Sequence, residues 1–135
     1  MHPELISRLL WAVLILLSGV ALYWLYNRVT LRRLASQRPP GLESLRPDTP
    51  AILYFTTPEC APCKTIQRPA LQHLQQKLGG RLQVIEINAA EKPDLAGAWG
   101  VLSVPTTFVL DPQGRPRHVN HGVTTAEKLL QQLAK

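Results

Sequence analysis

The longest apolar segment of the sequence lies near its beginning. About eighteen residues from Leu9 to Tyr26 include no charged side chain, and a helix of that length, at roughly 1.5 Å per residue, nearly spans the hydrocarbon core of a bilayer. Aromatic rings that favour membrane interfaces lie toward both ends of the segment, at Trp11, Tyr23, Trp24 and Tyr26. The pattern predicts one membrane-spanning helix that contacts lipid through residues 5–27.

A cleaved signal peptide and a buried core helix are the alternatives to a retained anchor. Gly19-Val20-Ala21 resembles a weak cleavage site, but cleavage there would leave an apolar new terminus from Leu22 to Tyr26, and the apolar run is long for a signal peptide. A core helix would need more partner surface than one small domain supplies. The length of the run and its flanks therefore favour a retained anchor.

Arginines on the two sides of this segment predict its orientation. Four follow it, Arg28, Arg32, Arg33 and Arg38, whereas Arg8 precedes it. The positive-inside rule then places the N-terminus outside and the folded domain in the cytoplasm, as a bias that leaves the opposite side open. Prolines and turn-forming residues indicate that residues 28–50 form a basic, proline-rich linker.

Apolar runs and amphipathic segments alternate from Ala51 onward. The predicted elements, in chain order, are a strand (51–57), a helix after Cys60, a strand (82–87), a helix (93–99), two strands (104–110 and 115–121) joined by a type I turn, and a helix after residue 124. The order β-α-β-α-β-β-α indicates an α/β fold, a central mixed sheet flanked by helices. The strand at 82–87 has the apolar composition of a strand buried on both faces.

The two longer helices of this domain have predicted faces and ends. The apolar face of the helix after Cys60 is expected at Ile66, Ala70, Leu74 and Leu78. Pro69 is expected to kink that helix, and Gly79 to end it. The segment 124–127 has the form of a capping box that opens the final helix, whose leucines at 129, 130 and 133 are expected to face the sheet.

The net charge of +6 is unevenly distributed. Residues 1–46 hold six arginines and two acidic residues, a charge of +4, and the remaining residues contribute +2. A nucleic-acid-binding protein would present a basic cluster on the folded domain. We therefore expect no nucleic-acid partner, and the juxtamembrane arginines are better explained by the membrane.

The only two cysteines, Cys60 and Cys63, lie between the first predicted strand and an amphipathic helix. A Cys-x-x-Cys sequence in that setting is typical of a dithiol redox site. Cys60 would lie at the helix N-terminus, where unpaired N–H groups and the helix dipole favour a thiolate. Cys63, about one turn later on the same face, can then attack a mixed disulfide formed at Cys60.

Zinc binding and inert burial are the alternatives for this cysteine pair. His118 and His121 could complete a zinc site, but their spacing and their distance along the chain are unlike those of finger-type sites. Inert burial is disfavoured by the strand-to-helix setting and by Pro58 and Pro62 beside the cysteines. The sequence therefore predicts no metal and no cofactor.

Three sequence features occur together in this domain. They are the cysteine motif Cys60-Ala61-Pro62-Cys63-Lys64, the stretch Trp99-Gly100-Val101 followed by Ser103-Val104-Pro105-Thr106, and Gly122 before the last helix. Together they resemble the thioredoxin superfamily over roughly residues 51–134. The resemblance implies a thioredoxin-like fold and protein-disulfide oxidoreductase activity. Cys60 would be the attacking thiol and Cys63 the resolving thiol, joined as a disulfide in the oxidised form. Pro105 would be cis beside the Cys60 sulfur, with the backbone of Val104 pairing with extended substrate. The residues expected to support the pair are Glu59, Pro62, Lys64, Val104, Pro105 and Thr106.

The sequence departs from the thioredoxin pattern at four positions and in its N-terminal part. Glu59 stands where thioredoxins usually carry Trp, Tyr54 where they carry a buried Asp, and Glu86 where they carry its Lys partner, while Pro69 falls one residue later than usual. The usual first strand and helix look missing or shortened. Because a carboxylate beside Cys60 disfavours the thiolate, with Lys64 as an opposing charge, we hypothesise that Cys60 is less acidic than in strongly oxidising relatives, which suits a reductant.

The sequence therefore predicts a membrane-anchored thiol–disulfide oxidoreductase with an anchor at 1–27, a linker at 28–50 and a thioredoxin-like domain at 51–135. Its partners would be protein disulfide substrates and an unidentified thiol or disulfide recycling partner. The alternative is a thioredoxin-like binding module that holds a partner near Pro105, or a metal with both cysteines, without redox turnover.

Overall fold

The computed structural model describes residues 2–37 and 41–134. Their contacts divide the chain into two compact units, with the division between Thr30 and Leu31. Residues 38–40 of the predicted linker lie outside the described residues.

Helix α1, Pro3–Gln37, carries the apolar segment. An 18-residue window within it has a mean hydropathy of 2.2, and none of that window is buried. The hydroxyl of Ser18 donates to the carbonyl of Leu14 at 2.8 Å, which satisfies a polar donor within the apolar surface. By length and composition α1 can cross a membrane, and a signal sequence meets the same criteria.

The second unit is built on a four-stranded mixed sheet. Its strands are β1 (Ala51–Thr56), β2 (Gln83–Asn88), β3 (Thr106–Leu110) and β4 (Pro116–His121), and its helices are α2 (Arg68–Leu78), α3 (Pro93–Ala98) and α4 (Ala126–Leu133). The strand order is β2-β1-β3-β4. Strand β2 is parallel to β1, whereas the β1–β3 and β3–β4 pairs are antiparallel. The predicted element order and the mixed sheet are confirmed.

Strand β2 lies at the edge of this sheet. Its two faces pack against different groups of buried residues, Ile85 and Ile87 on one side and Val84 on the other. The predicted burial on both faces is therefore confirmed only in part, because Val84 and Ile85 are half-buried and Glu86 is exposed. The composition of β2 indicated a strand without indicating its place in the sheet.

Strand β1 is buried along its whole length because its two faces belong to two different cores. On one face Phe55 packs with Trp99 and Phe108, and the ring centroids of Trp99 and Phe108 are 4.9 Å apart. On the other face Tyr54 belongs to the cluster that holds both cysteines. The central strand therefore joins the aromatic core to the cysteine-bearing side of the sheet.

The folded unit begins before residue 51, in the last turns of α1. Leu34 is buried in the aromatic core, and Leu31, Leu42 and Leu45 pack against that core. These leucines fall within the predicted linker, whereas the structure packs them into the fold. The compact unit that contains the sheet therefore starts at residue 31 and not at residue 51.

The helix that follows the cysteines begins with a π-helical turn, Cys63–Gln67, and continues as α2. The N–H of Arg68 donates to the carbonyl of Cys63, five residues back, so this turn contains one residue more than an α-helical turn. Pro69 is the second residue of α2, one residue after Arg68 closes the π turn. The kink predicted at Pro69 stays a prediction.

The π turn shifts the buried face of the helix. Ile66 is 55% exposed and Gln67 is fully buried, so the face predicted from Ile66 onward is wrong at its start. The buried positions are Cys63, Gln67, Leu71 and Leu74. The helix ends at Gly79, with a φ of 55°, as predicted.

Helix α4 is capped by Thr125, which makes the predicted capping box wrong by one residue. The side chain of Thr125 accepts a hydrogen bond from the N–H of Lys128 at 3.2 Å. Thr124 is buried, and its N–H donates to the side chain of Gln67 instead. The contact between Thr124 and Gln67 places Thr125, and not Thr124, at the cap position. The local sequence pattern gives no sign of this contact, because the two residues are far apart in the chain.

Candidate active site

Cys60 and Cys63 form a disulfide between the end of β1 and the start of the π turn, with their Cα atoms 5.3 Å apart. A turn closed by the N–H of Cys60 and the carbonyl of Thr57 leads into it. Cys60 is 9% exposed, whereas Cys63 is fully buried. The backbone N–H of Cys63 points at the sulfur of Cys60, at 3.2 Å. A donor in that position stabilises negative charge on the more accessible sulfur when the pair is reduced.

The phenol of Tyr54 lies behind the disulfide and donates to the carbonyl of Cys63 at 3.0 Å. Burial raises the pKa of Tyr54 above its ordinary value of 10.0, while a hydrogen bond with Thr56 and the charge of Arg68 oppose that shift. Tyr54 is therefore a neutral donor at physiological pH and not a proton acceptor. It ties the first turn after the cysteines to the central strand.

The loop before β3 lies against the same cluster as the cysteines. The Val104–Pro105 peptide bond is cis, and Val104 packs against the cluster that contains Cys60 and Cys63. The carbonyl of Pro105 accepts from the N–H of Gly122 at 2.8 Å. Thr106 is buried, with its hydroxyl on the carbonyl of Ser103 at 2.6 Å. The structure thus brings the cysteine pair and the Val104–Thr106 segment together.

The proposed zinc ligands are not brought together. Across residues 2–37 and 41–134, no three histidine, cysteine, aspartate or glutamate residues form a group that could hold a metal ion. His118 and His121 lie on β4, where they pair with Val109 and Thr106 of β3. Both histidines therefore lie in the β3–β4 hairpin.

Sequence comparisons place this arrangement among known proteins. A family model described as Thioredoxin matches residues 42–135, more than half of the chain. The chain belongs to the thioredoxin family. Its match begins at residue 42, within the predicted linker, which agrees with the packing of Leu42 and Leu45 against the core.

Individual thioredoxins match this chain over part of their length. It is 43% identical to thioredoxin of Bacillus subtilis over 56 residues, which are 42% of this chain and 53% of that protein. It is 31% identical to thioredoxin 1 of Nostoc sp. over 67 residues, 50% of this chain and 62% of that protein. The crystal structure of chloroplastic thioredoxin z superposes with a TM-score of 0.57 at 27% identity, covering 65% of this chain and 81% of that one. The chain thus spans about half to three-fifths of the two curated relatives.

The side chains that flank the cysteines of this thioredoxin-family protein are exposed. Glu59, Pro62 and Lys64 all lie at the surface, so the opposing charges of Glu59 and Lys64 act on Cys60 through solvent. Lys64 also borders a cleft of about 550 Å³, whose lining includes Arg68 and Glu86. These two form an ion pair at 2.6 Å with both side chains partly exposed.

Gln67 is the residue of this site that the sequence analysis missed. It is fully buried and hydrogen-bonded to Thr124, 57 residues away. Its spacing of four residues after Cys63 was the available signal, because side chains at i and i+4 share a face of a helix. A glutamine on that face is ordinarily assigned to the surface, which is why the apolar Ile66 was preferred.

We expect Tyr54→Phe to lower the free energy of unfolding by about 1 kcal/mol at neutral pH, because the buried carbonyl of Cys63 loses one of its two donors. The folded-state pKa of the tyrosine lies above the unfolded value of 10.0. The wild type should therefore lose stability as the pH rises above 10 toward that folded-state pKa, and the phenylalanine variant should not. Urea unfolding of both disulfide-bonded proteins at about pH 7 and pH 11 measures this. A stability difference that stays constant between the two pH values would contradict the assignment.

Proposed function

We propose that this protein is a membrane-anchored thiol–disulfide oxidoreductase that reduces protein disulfides through Cys60 and Cys63. The observation that best supports the proposal is the unequal exposure of a bonded cysteine pair at a helix start. Cys60 is the sulfur that a substrate reaches, Cys63 is buried behind it, and a backbone N–H points at Cys60. Membership of the thioredoxin family adds the chemical precedent.

The reaction begins with both cysteines reduced. The thiolate of Cys60 attacks one sulfur of a substrate disulfide, which forms a mixed disulfide and releases the first substrate thiolate. Cys63 then loses its proton, and its thiolate attacks the sulfur of Cys60 and releases the second substrate thiolate. The two substrate thiolates take up two protons. The substrate gains two electrons, the protein is left with the Cys60–Cys63 disulfide, and a thiol-bearing recycling partner returns the electrons.

The segment at Val104 is the proposed substrate-binding backbone. Val104 is half-buried against the cysteine cluster, next to the cis bond at Pro105. An extended substrate strand that pairs with this backbone would bring its disulfide to Cys60. Pro62 and Thr106 support the site by shaping the turn after Cys60 and the start of β3.

The membrane anchor is proposed from α1. Its apolar stretch is long enough to span a bilayer, and most of its flanking arginines follow the span. The positive-inside rule then favours a domain in the cytoplasm, where ambient thiols keep cysteines reduced. That compartment favours the reducing direction, and the opposite side would favour oxidation of substrates by the same pair.

The experiment that tests this function is reduction of insulin disulfides by the full chain in detergent, with dithiothreitol as the electron source. We expect precipitation of the insulin B chain to start well before it does with dithiothreitol alone, because Cys60 presents a stabilised thiolate. Metal content is measured on the same sample. A protein that is no faster than dithiothreitol alone and carries a stoichiometric metal would instead support the binding-module alternative.

A further inference from the structure

Gln67 makes a two-point contact with a loop that is distant in sequence. Its side-chain amide nitrogen donates to the carbonyl of Thr124 at 3.1 Å, and its side-chain oxygen accepts from the N–H of Thr124 at 2.8 Å. One glutamine thus satisfies both backbone polar groups of a buried threonine. Unpaired groups at such a site would be costly.

The two ends of this contact belong to the two parts of the proposed active site. Gln67 closes the π turn that begins with Cys63, and both side chains are fully buried. Thr124 lies two residues after Gly122, whose N–H donates to the carbonyl of Pro105. The contact therefore connects the cysteine-bearing turn, through Thr124 and Gly122, to the segment that contains the cis bond.

We propose that Gln67 is a positioning residue that holds the Val104–Pro105 segment in place beside the cysteine pair. The inference rests on the proposed oxidoreductase function and assigns Gln67 a part in substrate binding. Gln67 does not touch the sulfur atoms in the reaction. Loss of its contact should therefore weaken the binding of an extended disulfide substrate more than it slows the exchange of sulfurs.

The chemistry of an amide makes the proposal testable by a substitution of nearly equal size. Gln67→Glu keeps the shape of the side chain, but an ionised carboxylate has no donor for the carbonyl of Thr124. A protonated carboxyl group presents one donor and one acceptor, which are the two that the contact with Thr124 uses. Because burial raises the pKa of a carboxyl group, the neutral form should persist well above the usual range for glutamate.

The chain contains a matched control for this substitution. Gln132 and Asn120 form the same kind of two-point amide contact, at 2.8 and 2.9 Å. That contact joins α4 to β4 and includes no residue of the cysteine-bearing turn or of Val104–Pro105, although Asn120 also donates to the hydroxyl of Thr107 at 3.3 Å. When ionised, Gln132→Glu therefore loses one amide donor, as ionised Gln67→Glu does, but away from the proposed substrate backbone.

The experiment measures kcat and KM for a disulfide-bonded peptide, with the full chain in detergent and dithiothreitol as reductant, from about pH 5 to pH 8.5. For Gln67→Glu we expect KM about tenfold above the wild-type value at the alkaline end, with kcat within about twofold. At about pH 5 the KM ratio should fall to within about twofold of one. Gln132→Glu should leave KM unchanged across the range.

The possible outcomes separate this inference from the proposed function. A wild type that does not reduce the peptide would overturn the function itself. An active wild type with unchanged KM in Gln67→Glu, or with an equal rise in Gln132→Glu, would overturn the positioning role. If Gln67→Glu does not fold, Gln67→Met removes both hydrogen bonds at similar volume and should raise KM at every pH. Failure of both variants to fold would make Gln67 a fold determinant and would also overturn the proposal.

Discussion

Cys63→Ala should stop the reaction after its first step and leave the protein covalently bound to substrate through Cys60. The variant keeps the accessible sulfur and the N–H that stabilises its thiolate, so attack on a substrate disulfide proceeds. It lacks the second thiol that resolves the mixed disulfide. Alanine suits the fully buried position, where serine would introduce a hydroxyl that needs a partner.

The measurement combines turnover with trapping. Insulin reduction by Cys63→Ala should fall to the rate of dithiothreitol alone, while non-reducing gels show an adduct that disappears when excess thiol is added. Cys60→Ser is the paired control: it should lose turnover to the same level and form no adduct, because its remaining sulfur is buried. Reduced wild type is the stability reference for both variants. Adduct formation by Cys60→Ser would reverse the assigned roles.

A chain that begins at Ala51 should be far less stable than one that begins at Leu31. The shorter chain loses Leu34, which is 5% exposed, and three partly buried leucines that pack against the aromatic core. It also loses the backbone of Arg46, which exchanges two hydrogen bonds with the side chain of Gln83 on β2. Removal of one buried leucine side chain costs about 2–5 kcal/mol. We therefore expect the free energy of unfolding of the shorter chain to be lower by roughly 5 kcal/mol or more, which is comparable to the whole stability of many domains.

Denaturant unfolding of the two truncated chains measures this difference, and Leu34→Ala in the longer one isolates its largest contribution. We expect Leu34→Ala to cost about 2–3 kcal/mol. The solvent-exposed Ser36→Ala is a matched control on the same turn of α1 and should change the free energy of unfolding by less than about 0.5 kcal/mol. Equal stability of the two truncated chains would show that the fold starts at residue 51 after all.

The elements of the sheet could be predicted because their signals are local. The apolar run of β1, the glycine at Gly79 and the turn residues from Asp111 to Gly114 each specify a short segment, and the structure bears these out. The proximity of the cysteine pair to Val104-Pro105-Thr106 was predicted in a different way, from the resemblance to thioredoxins, because no local pattern joins segments about forty residues apart.

The features that were missed depend on contacts between distant segments. The buried position of Gln67 depends on its contact with Thr124, 57 residues away. The helical spacing from Cys63 allows that position, but a glutamine is ordinarily assigned to the surface. The edge position of β2 is decided by the strands that pair beside it. Leu31 and Leu34 lie on either side of two arginines within the predicted basic linker, so no local pattern indicates their contribution to a folded core.

The unequal burial of the two cysteines also bears on where oxidative damage is expected. Peroxide or a small thiol is expected to reach Cys60, which is 9% exposed, before Cys63, which is enclosed by its core cluster. A sulfenic acid or a mixed adduct formed at Cys60 remains within reach of the intact thiol one turn away, which converts it to the ordinary disulfide before further oxidation. The enclosure from which we infer the order of thiol exchange would thus also protect the thiol that repairs Cys60.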